Sequence, residues 1–222
     1  DYSSAASDVY KRQVCVQAKI NGYSCGIIGN NGPIDPNGAT KSAQFIQLCD
    51  QSDIPLIFLS NTTGFMVGKQ TEQLGMIKHG SKLIQAVSNV KVPKITLNVG
   101  ASFGAGNYAM CGKAYDQRLI VGWPYAEVAV MGGAQAAKVL LQIEVASLKS
   151  KGESITKEKE EALFNSIKSR YDDQTSPYYA AARLWIDAII DPKDTRKWVS
   201  MGIESANNSG ELDAYKTGVI QT

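Results

Sequence analysis

Two glycine-bearing bends hold the residues of this chain best suited to chemistry. The first follows an apolar run over 55–60 and reads Asn61-Thr62-Thr63-Gly64-Phe65-Met66-Val67-Gly68. The second follows the β-branched run 94–99 and reads Gly100-Ala101-Ser102-Phe103-Gly104-Ala105-Gly106-Asn107-Tyr108. Both look like the end of a buried strand, and the second then opens a helix. The first peptide N–H groups of a helix have no internal acceptor, and the helix dipole makes that end electropositive. Small residues there let a ligand oxygen reach the main chain. The pattern predicts a site built from backbone donors rather than titrating side chains. Taken singly, Gly64, Gly104, Ala105 and Gly106 are somewhat better explained by tight strand–helix packing.

Side-chain chemistry offers less. Gly100-x-Ser102-x-Gly104 is a formal nucleophile elbow. Its triad needs a histidine downstream of the serine, whereas the single histidine, His79, lies upstream on a predicted helix surface. A Ser102–Lys dyad with Lys82 or Lys113 stays open. Gly100, Gly104 and Gly106 do not keep dinucleotide-fingerprint spacing, and no acidic residue ends a following strand at the expected distance. Asp172-Asp173 and the acidic cluster at 158–161 read as solvated helix surface. What remains is a reaction that needs donors but no acid or base of its own. Chemistry through the enolate of a thioester fits, because two N–H groups aimed at the charged oxygen stabilise it in a water-shielded site. The co-reactant then brings the base, as carboxybiotin does when loss of carbon dioxide leaves a ureido anion.

Composition sets the frame. The chain has 222 residues, a hydrophobic fraction of 44% and a formal charge of +2. That suits one globular domain and gives no reason to expect nucleic acid or a membrane surface. Four cysteines without C-x-x-C spacing predict reduced, buried thiols. One histidine and no cysteine-ligand spacing argue against zinc. No apolar run has the length of a membrane span. Lysines at 149–151 and 157–159, interleaved with Glu153, Glu158, Glu160 and Glu161, predict a solvated helix face. Residues 1–13 are polar and lack a signal-peptide core, so they read as a foreign or disordered leader. The domain is expected over 14–204, with a polar, frayed tail over 205–222. The absence of an initiating Met suggests a fragment.

The elements that must position the bends follow from periodicity. A hairpin is predicted over 14–20 and 23–30, turning at Asn21-Gly22. Helices are predicted over 39–50, 71–90, 103–112, 134–149, 156–170, 177–184 and 194–203, and strands over 55–60, 94–99, 119–123, 127–131 and 186–190. The helix over 39–50 points Ala43, Ile46 and either Leu48 or Cys49 inward. In 71–90 the inward face is Leu74, Ile77, Ser81, Ile84 and Val87, and Gly75 and Gly80 within it suggest close backbone approach. Alternating strands and helices predict an α/β layer fold with mostly parallel pairing.

The ordered blocks Phe45-Ile46-Gln47-Leu48-Cys49-Asp50, Thr63-Gly64-Phe65-Met66-Val67-Gly68, Val92-Pro93-Lys94-Ile95-Thr96, Gly104-Ala105-Gly106-Asn107-Tyr108-Ala109-Met110-Cys111-Gly112, Trp123-Pro124 and Val130-Met131-Gly132-Gly133-Ala134-Gln135 resemble one family. It is the carboxyltransferase β subunit of biotin-dependent acyl-CoA carboxylases, in the crotonase superfamily. The wording is most similar to the methylcrotonyl-CoA and geranyl-CoA branch. The resemblance runs from about residue 14 to 203. It implies a single-domain, crotonase (ClpP)-like spiral of ββα units, corresponding to the C-terminal half of such subunits. It implies carboxyl transfer from carboxybiotin, borne by a partner carrier domain, to an acyl-CoA, without a metal. The N–H groups of Phe65 and Ala105, with Gly106, would hold the ureido oxygen, and Gly64 and Gly104 would give access. Tyr108, Met131, Gly132, Gly133 and Ala134 would line the pocket near the acyl group. Implied partners are an N-terminal carboxyltransferase domain, a biotin carboxylase/biotin carrier subunit and further copies in a hexamer, in the cytoplasm or the mitochondrial matrix. Without the N-terminal domain half of the expected site is missing, so the chain alone is expected to be inactive. Tyr125 departs from the small polar residue expected after Trp-Pro. The alternatives are the reverse decarboxylation, a Ser102 hydrolase and a non-catalytic assembly module.

Overall fold

The computed structural model describes residues 13–151 and 156–208. Most of the expected leader (1–12), part of the charged stretch (152–155) and the tail beyond 208 lie outside the described residues. The chain opens as a hairpin of β1, Gln13–Ile20, and β2, Tyr23–Asn30. Asn21 and Gly22 both take positive φ (50° and 89°), as a two-residue turn matched to strand twist requires. Helix α1, Pro36–Gln51, is started by Asp35, whose carboxylate accepts from the Gly38 N–H at 3.1 Å, and by Pro36 in its first turn. Ala43, Ile46 and Cys49 face inward, while Leu48 is exposed. Strand β3, Leu56–Thr62, follows.

The helix expected over 71–90 is two helices, α2 (Lys69–Gln73) and α3 (Met76–Asn89). Gly75 between them sits at φ +81°, a left-handed conformation that ends one helix and starts the next in a new phase. The inward face shifts accordingly. Leu74 and Ile77 are exposed, and Met76, Leu83, Ala86 and Val87 are buried. Gly80 has the close neighbour its type suggested, since a Cβ there would lie 3.2 Å from the Phe65 ring.

Strand β4, Lys94–Phe103, runs straight into α4, Gly104–Ala109. Then come β5 (Leu119–Gly122), β6 (Glu127–Ala129), α5 (Gly133–Ser150), α6 (Lys157–Thr175), α7 (Pro177–Ala182), β7 (Ala188–Ile189) and α8 (Thr195–Asn207). The last helix continues past the point expected to fray. Strand β7 is shorter than the run 186–190, because only Ala188 and Ile189 pair, with Val121 and Gly122.

One mixed sheet runs β1-β2-β3-β4-β5-β7. Only β1–β2 is antiparallel among these pairs. Strand β4 forks: Ile95 to Asn98 pair with β5, and Ala101 to Phe103 pair with β6. Side chains of Ile28, Leu56 and Phe58 meet α1 and α3 on one face. Ile57, Ile95, Leu97 and Val121 meet Val199 and Ile203 of α8 on the other. Ile120, Ala180 and Ile186 form a smaller cluster under α7. Among the described residues no helix is long and apolar enough to cross a membrane.

Candidate functional site

The two bends named from sequence lie against each other. A Cβ added at Gly106 would stand 2.7 Å from Thr62 Cγ2, 2.9 Å from Gly64 Cα and 3.1 Å from Gly64 N. No residue but glycine lets α4 start so close to the β3 bend. Gly64 itself has φ +124°, and Thr62 Oγ1 holds the turn by accepting from the Gly64 N–H at 3.1 Å. The register between β3 and β4 slips between Ser60 and Thr62, which brings Thr62 opposite Ser102. Gly104 has φ +52°, and a Cβ there would stand 3.0 Å from the Val130 carbonyl.

Asparagines tie the bends down, and sequence reasoning passed over them. Asn61 Oδ1 accepts from the Ala101 N–H at 3.1 Å, and Asn61 Nδ2 donates to Asn31 Oδ1 at 2.9 Å. The Asn61 N–H donates to Asn30 Oδ1 at 2.8 Å. The Asn61 side chain fills the space a Cβ on Gly100 would need. The signal was three asparagines at the ends of two adjacent predicted strands.

The backbone donors stand as follows. Ile34 bridges Phe65 through Ile34 N–H to Gly64 O (2.9 Å) and Met66 N–H to Ile34 O (2.8 Å). The Phe65 N–H has no acceptor among the described residues. Ala105 and Gly106 are in the first turn of α4, where N–H groups lack intrahelical partners. Ala105 is exposed, and Gly106 is buried against Gly64.

Beside α4 opens a cavity of about 800 Å³ with mostly apolar walls. Asn98, Ser102 and Ile120 are among the residues that line it. Tyr108, Lys113, Tyr179 and Trp185 also line it. Gly104, Ala105, Tyr108 and Met131, all named from sequence, line it. Gly64, Phe65 and Gly106 adjoin it through the Gly64–Gly106 contact without lining it. The stretch after Met131 divides: Gly132 lies against the Phe103 ring, buried Gly133 packs on Asp172 of α6, and Ala134 is exposed. Gly133 is therefore a helix-packing glycine, a role that needs α6 to be seen. Tyr125 is exposed, with its ring 5.7 Å from that of Trp123.

Ser102 is no free nucleophile. It is buried, and its oxygen accepts from Ser60 Oγ at 3.2 Å and Asn107 Nδ2 at 2.9 Å. His79 Nδ1 sits 2.7 Å from Thr40 Oγ1 on α1 instead. Lys113 Nζ is paired with Asp187 Oδ1 at 3.1 Å. The cysteines are unbridged, and burial pushes the Cys111 thiol up to about 11, so it is protonated at neutral pH. Among the described residues no cluster of His, Cys, Asp or Glu could hold a metal ion. The arrangement offers main-chain donors beside an apolar cavity.

Residues 5–219 match the family described as the carboxyl transferase domain. The chain is 52% identical to the mitochondrial methylcrotonoyl-CoA carboxylase beta chain of Arabidopsis thaliana, over 92% of this chain and 35% of that one. It is 45% identical to the biotin-dependent 3-methylcrotonyl-coenzyme A carboxylase beta1 subunit of Mycobacterium tuberculosis, over 100% of this chain and 42% of that one. Among solved structures, the geranyl-CoA carboxylase beta subunit of P. aeruginosa superposes with a TM-score of 0.82 at 47% identity, over 96% of this chain and 41% of that one. The chain thus spans about two-fifths of the length of the relatives it matches.

Proposed function

Because the chain belongs to the carboxyl transferase domain family, whose solved members share its crotonase-type fold, we propose that it is the C-terminal half of a carboxyltransferase subunit. It moves a carboxyl group from carboxybiotin to an acyl-CoA. The observation that carries this reading is the contact of the Gly64 and Gly106 bends at the edge of the apolar cavity. A Phe65 N–H without an acceptor among the described residues and an exposed Ala105 at a helix start suit an anionic oxygen.

Carboxybiotin, when bound, supplies the carboxyl group and, on losing carbon dioxide, its own base. The protein's part is positional and electrostatic. The N–H groups of Phe65, Ala105 and Gly106 would hold the ureido oxygen. Gly64 and Gly104 keep side chains out of its approach. Tyr108 and Met131 wall the space beside it, and the apolar lining excludes water and so strengthens each donor. Gly132, Gly133 and Ala134 follow Met131 directly, where α5 begins. The companion N-terminal domain supplies the acyl-thioester oxyanion hole, and a biotin carboxylase/biotin carrier subunit delivers the carboxyl group. A related solved structure, the transcarboxylase 12S core, is described as a hexamer assembly, and a hexamer of the completed subunit is the expected state. Its compartment is the cytoplasm, or the mitochondrial matrix in a eukaryote. The reverse reaction is a second reading, because the chain is 33% identical over 99% of its length to the methylmalonyl-CoA decarboxylase subunit alpha of Propionigenium modestum.

The test is Ala105→Pro in the subunit assembled with its N-terminal half. Proline is tolerated in a first helical turn but has no N–H. Transfer should fall about 10²–10³-fold for one lost donor. Ser102→Ala should leave most of the activity, whereas a hydrolase would lose it. An Ala105→Pro subunit with normal transfer rate makes the bend structural only.

A further inference from the structure

Asn61 stands where the β3–β4 ladder breaks. Ser60 pairs with Asn98 and Thr62 with Ser102, so Asn61 alone faces Val99, Gly100 and Ala101 of β4. The longer strand must bow there, and a bowed stretch forfeits ladder hydrogen bonds. The Asn61 side chain takes their place. Its Oδ1 accepts from the Ala101 N–H at 3.1 Å, and a Cβ added at Gly100 would stand 2.7 Å from Asn61 Cγ. Its Nδ2 donates to Asn31 Oδ1 at 2.9 Å. The main chain is held as well. The Asn61 N–H donates to Asn30 Oδ1 at 2.8 Å, and the Asn61 carbonyl accepts from the Gly32 N–H at 2.9 Å. One residue thus joins the end of β2, the end of β3 and the bow of β4. It does not line the cavity. The count along the two strands from this bond is the same: Phe65 lies four residues beyond Asn61, and Ala105 four beyond Ala101.

We infer that Asn61 is a positioning residue for carboxyl transfer. Its bond to Ala101 keeps the two bends in step, so that the Phe65 and Ala105 N–H groups serve one oxygen. This rests on the carboxyltransferase reading and deepens it. Asn61 touches no reactant; it acts through the bends. A carboxamide suits the task, because it supplies a donor and an acceptor at once. Its stem is short enough to lie against Gly100, where any side chain would collide with it. Donors that are fixed before the reaction need not reorganise during it. A misplacement on the order of 1 Å costs up to about 10²-fold in a positioned reaction, so a brace outside the cavity governs rate without governing binding.

The experiment measures kcat and KM of Asn61→Ala and Asn61→Asp in the subunit assembled with its N-terminal half, well below their unfolding transitions, with Ala105→Pro alongside. Asn61→Ala should lower kcat about 10–100-fold and leave KM for the acyl-CoA unchanged. Asn61→Asp keeps the acceptor for the Ala101 N–H and should recover most of kcat. Gly100→Ala reaches the same contact from the other strand and carries the test should Asn61→Ala fail to fold. Its methyl group displaces the carboxamide and should lower kcat alone. Added to Asn61→Ala, where that space is free, it should cost nothing further. Full kcat in Asn61→Ala beside a slow Ala105→Pro overturns the inference and leaves the carboxyltransferase reading standing. So does an Asn61→Asp no faster than Asn61→Ala, or a loss that follows only the folded fraction. If Ala105→Pro also runs at full rate, the bends hold no reacting oxygen, and the donor reading and this inference fall together.

Discussion

Gly106→Ala is the substitution on which the geometry of the two bends makes its firmest demand. The new methyl group would stand 2.9 Å from Gly64 Cα and 2.7 Å from Thr62 Cγ2. Comfortable carbon–carbon contact begins near 3.5 Å, so the bends must part by about 0.6 Å or more. One of the atoms met is backbone, held by the Thr62 hydroxyl and by the bridge to Ile34, so no rotamer change relieves it. Overpacking of this kind costs about 1–3 kcal/mol. Alanine returns up to about 1 kcal/mol of that through its better helix propensity. The net loss should lie between about 0 and 3 kcal/mol, toward the upper half because a backbone atom is met, read as a lower urea midpoint with unchanged slope. Activity should suffer more. Displacing donors by a good part of an ångström costs up to about 10²-fold in a positioned reaction. Gly29→Ala is the control: its Cβ would meet nothing closer than Leu59 Cβ at 3.8 Å, and it should be neutral in both assays. An unchanged urea midpoint for Gly106→Ala would mean that the bends do not touch. Lost stability with a normal transfer rate would mean that they touch but hold no reacting oxygen.

Asn61→Ala removes the acceptor of the Ala101 N–H and the partner of Asn31, and should cost about 1–2 kcal/mol while speeding amide exchange at Ala101. Asn61→Asp keeps that acceptor and should protect Ala101 better than Asn61→Ala; equal exchange in the two would show that the side chain does not hold β4. The Cys111 thiol is raised by burial from 9.0 to about 11, so the folded chain keeps this proton where the unfolded chain has lost it. Its contribution to stability is complete below about pH 9 and is lost as pH rises toward 11. Cys111→Ala should therefore show a shallower fall in urea midpoint over that window. Cys49 is raised in the same direction and acts in both proteins, so some slope remains. Parallel profiles for the two proteins would contradict the burial of Cys111.

What could be read in the sequence was what neighbours along the chain decide. Asn21-Gly22 specifies its own turn, and a β-branched run that breaks into Gly104-Ala105-Gly106 specifies strand, bend and helix, because these conformations belong to the residues themselves. What could not be read depends on residues far away. Gly75 has the same composition-level signature as Gly80, yet one reverses the backbone at φ +81° and the other makes room for Phe65. Gly106 and Gly133 are likewise indistinguishable as letters. The first faces Gly64 and the second faces Asp172 of α6, so only one meets the β3 bend.

Asn98 shows the limit most clearly. One asparagine among Ile95, Leu97 and Val99 is a lone exception to an apolar strand, and a periodicity argument discards exceptions. Buried polar groups are normally paired, so such an exception is informative only when its surroundings are known. The fork of β4 supplies them. By pairing its first half with β5 and its second with β6, the strand leaves the intervening stretch without a neighbour on that side. Asn98 itself stands on the last rung with β5, opposite Gly122, which brings no side chain to meet its carboxamide.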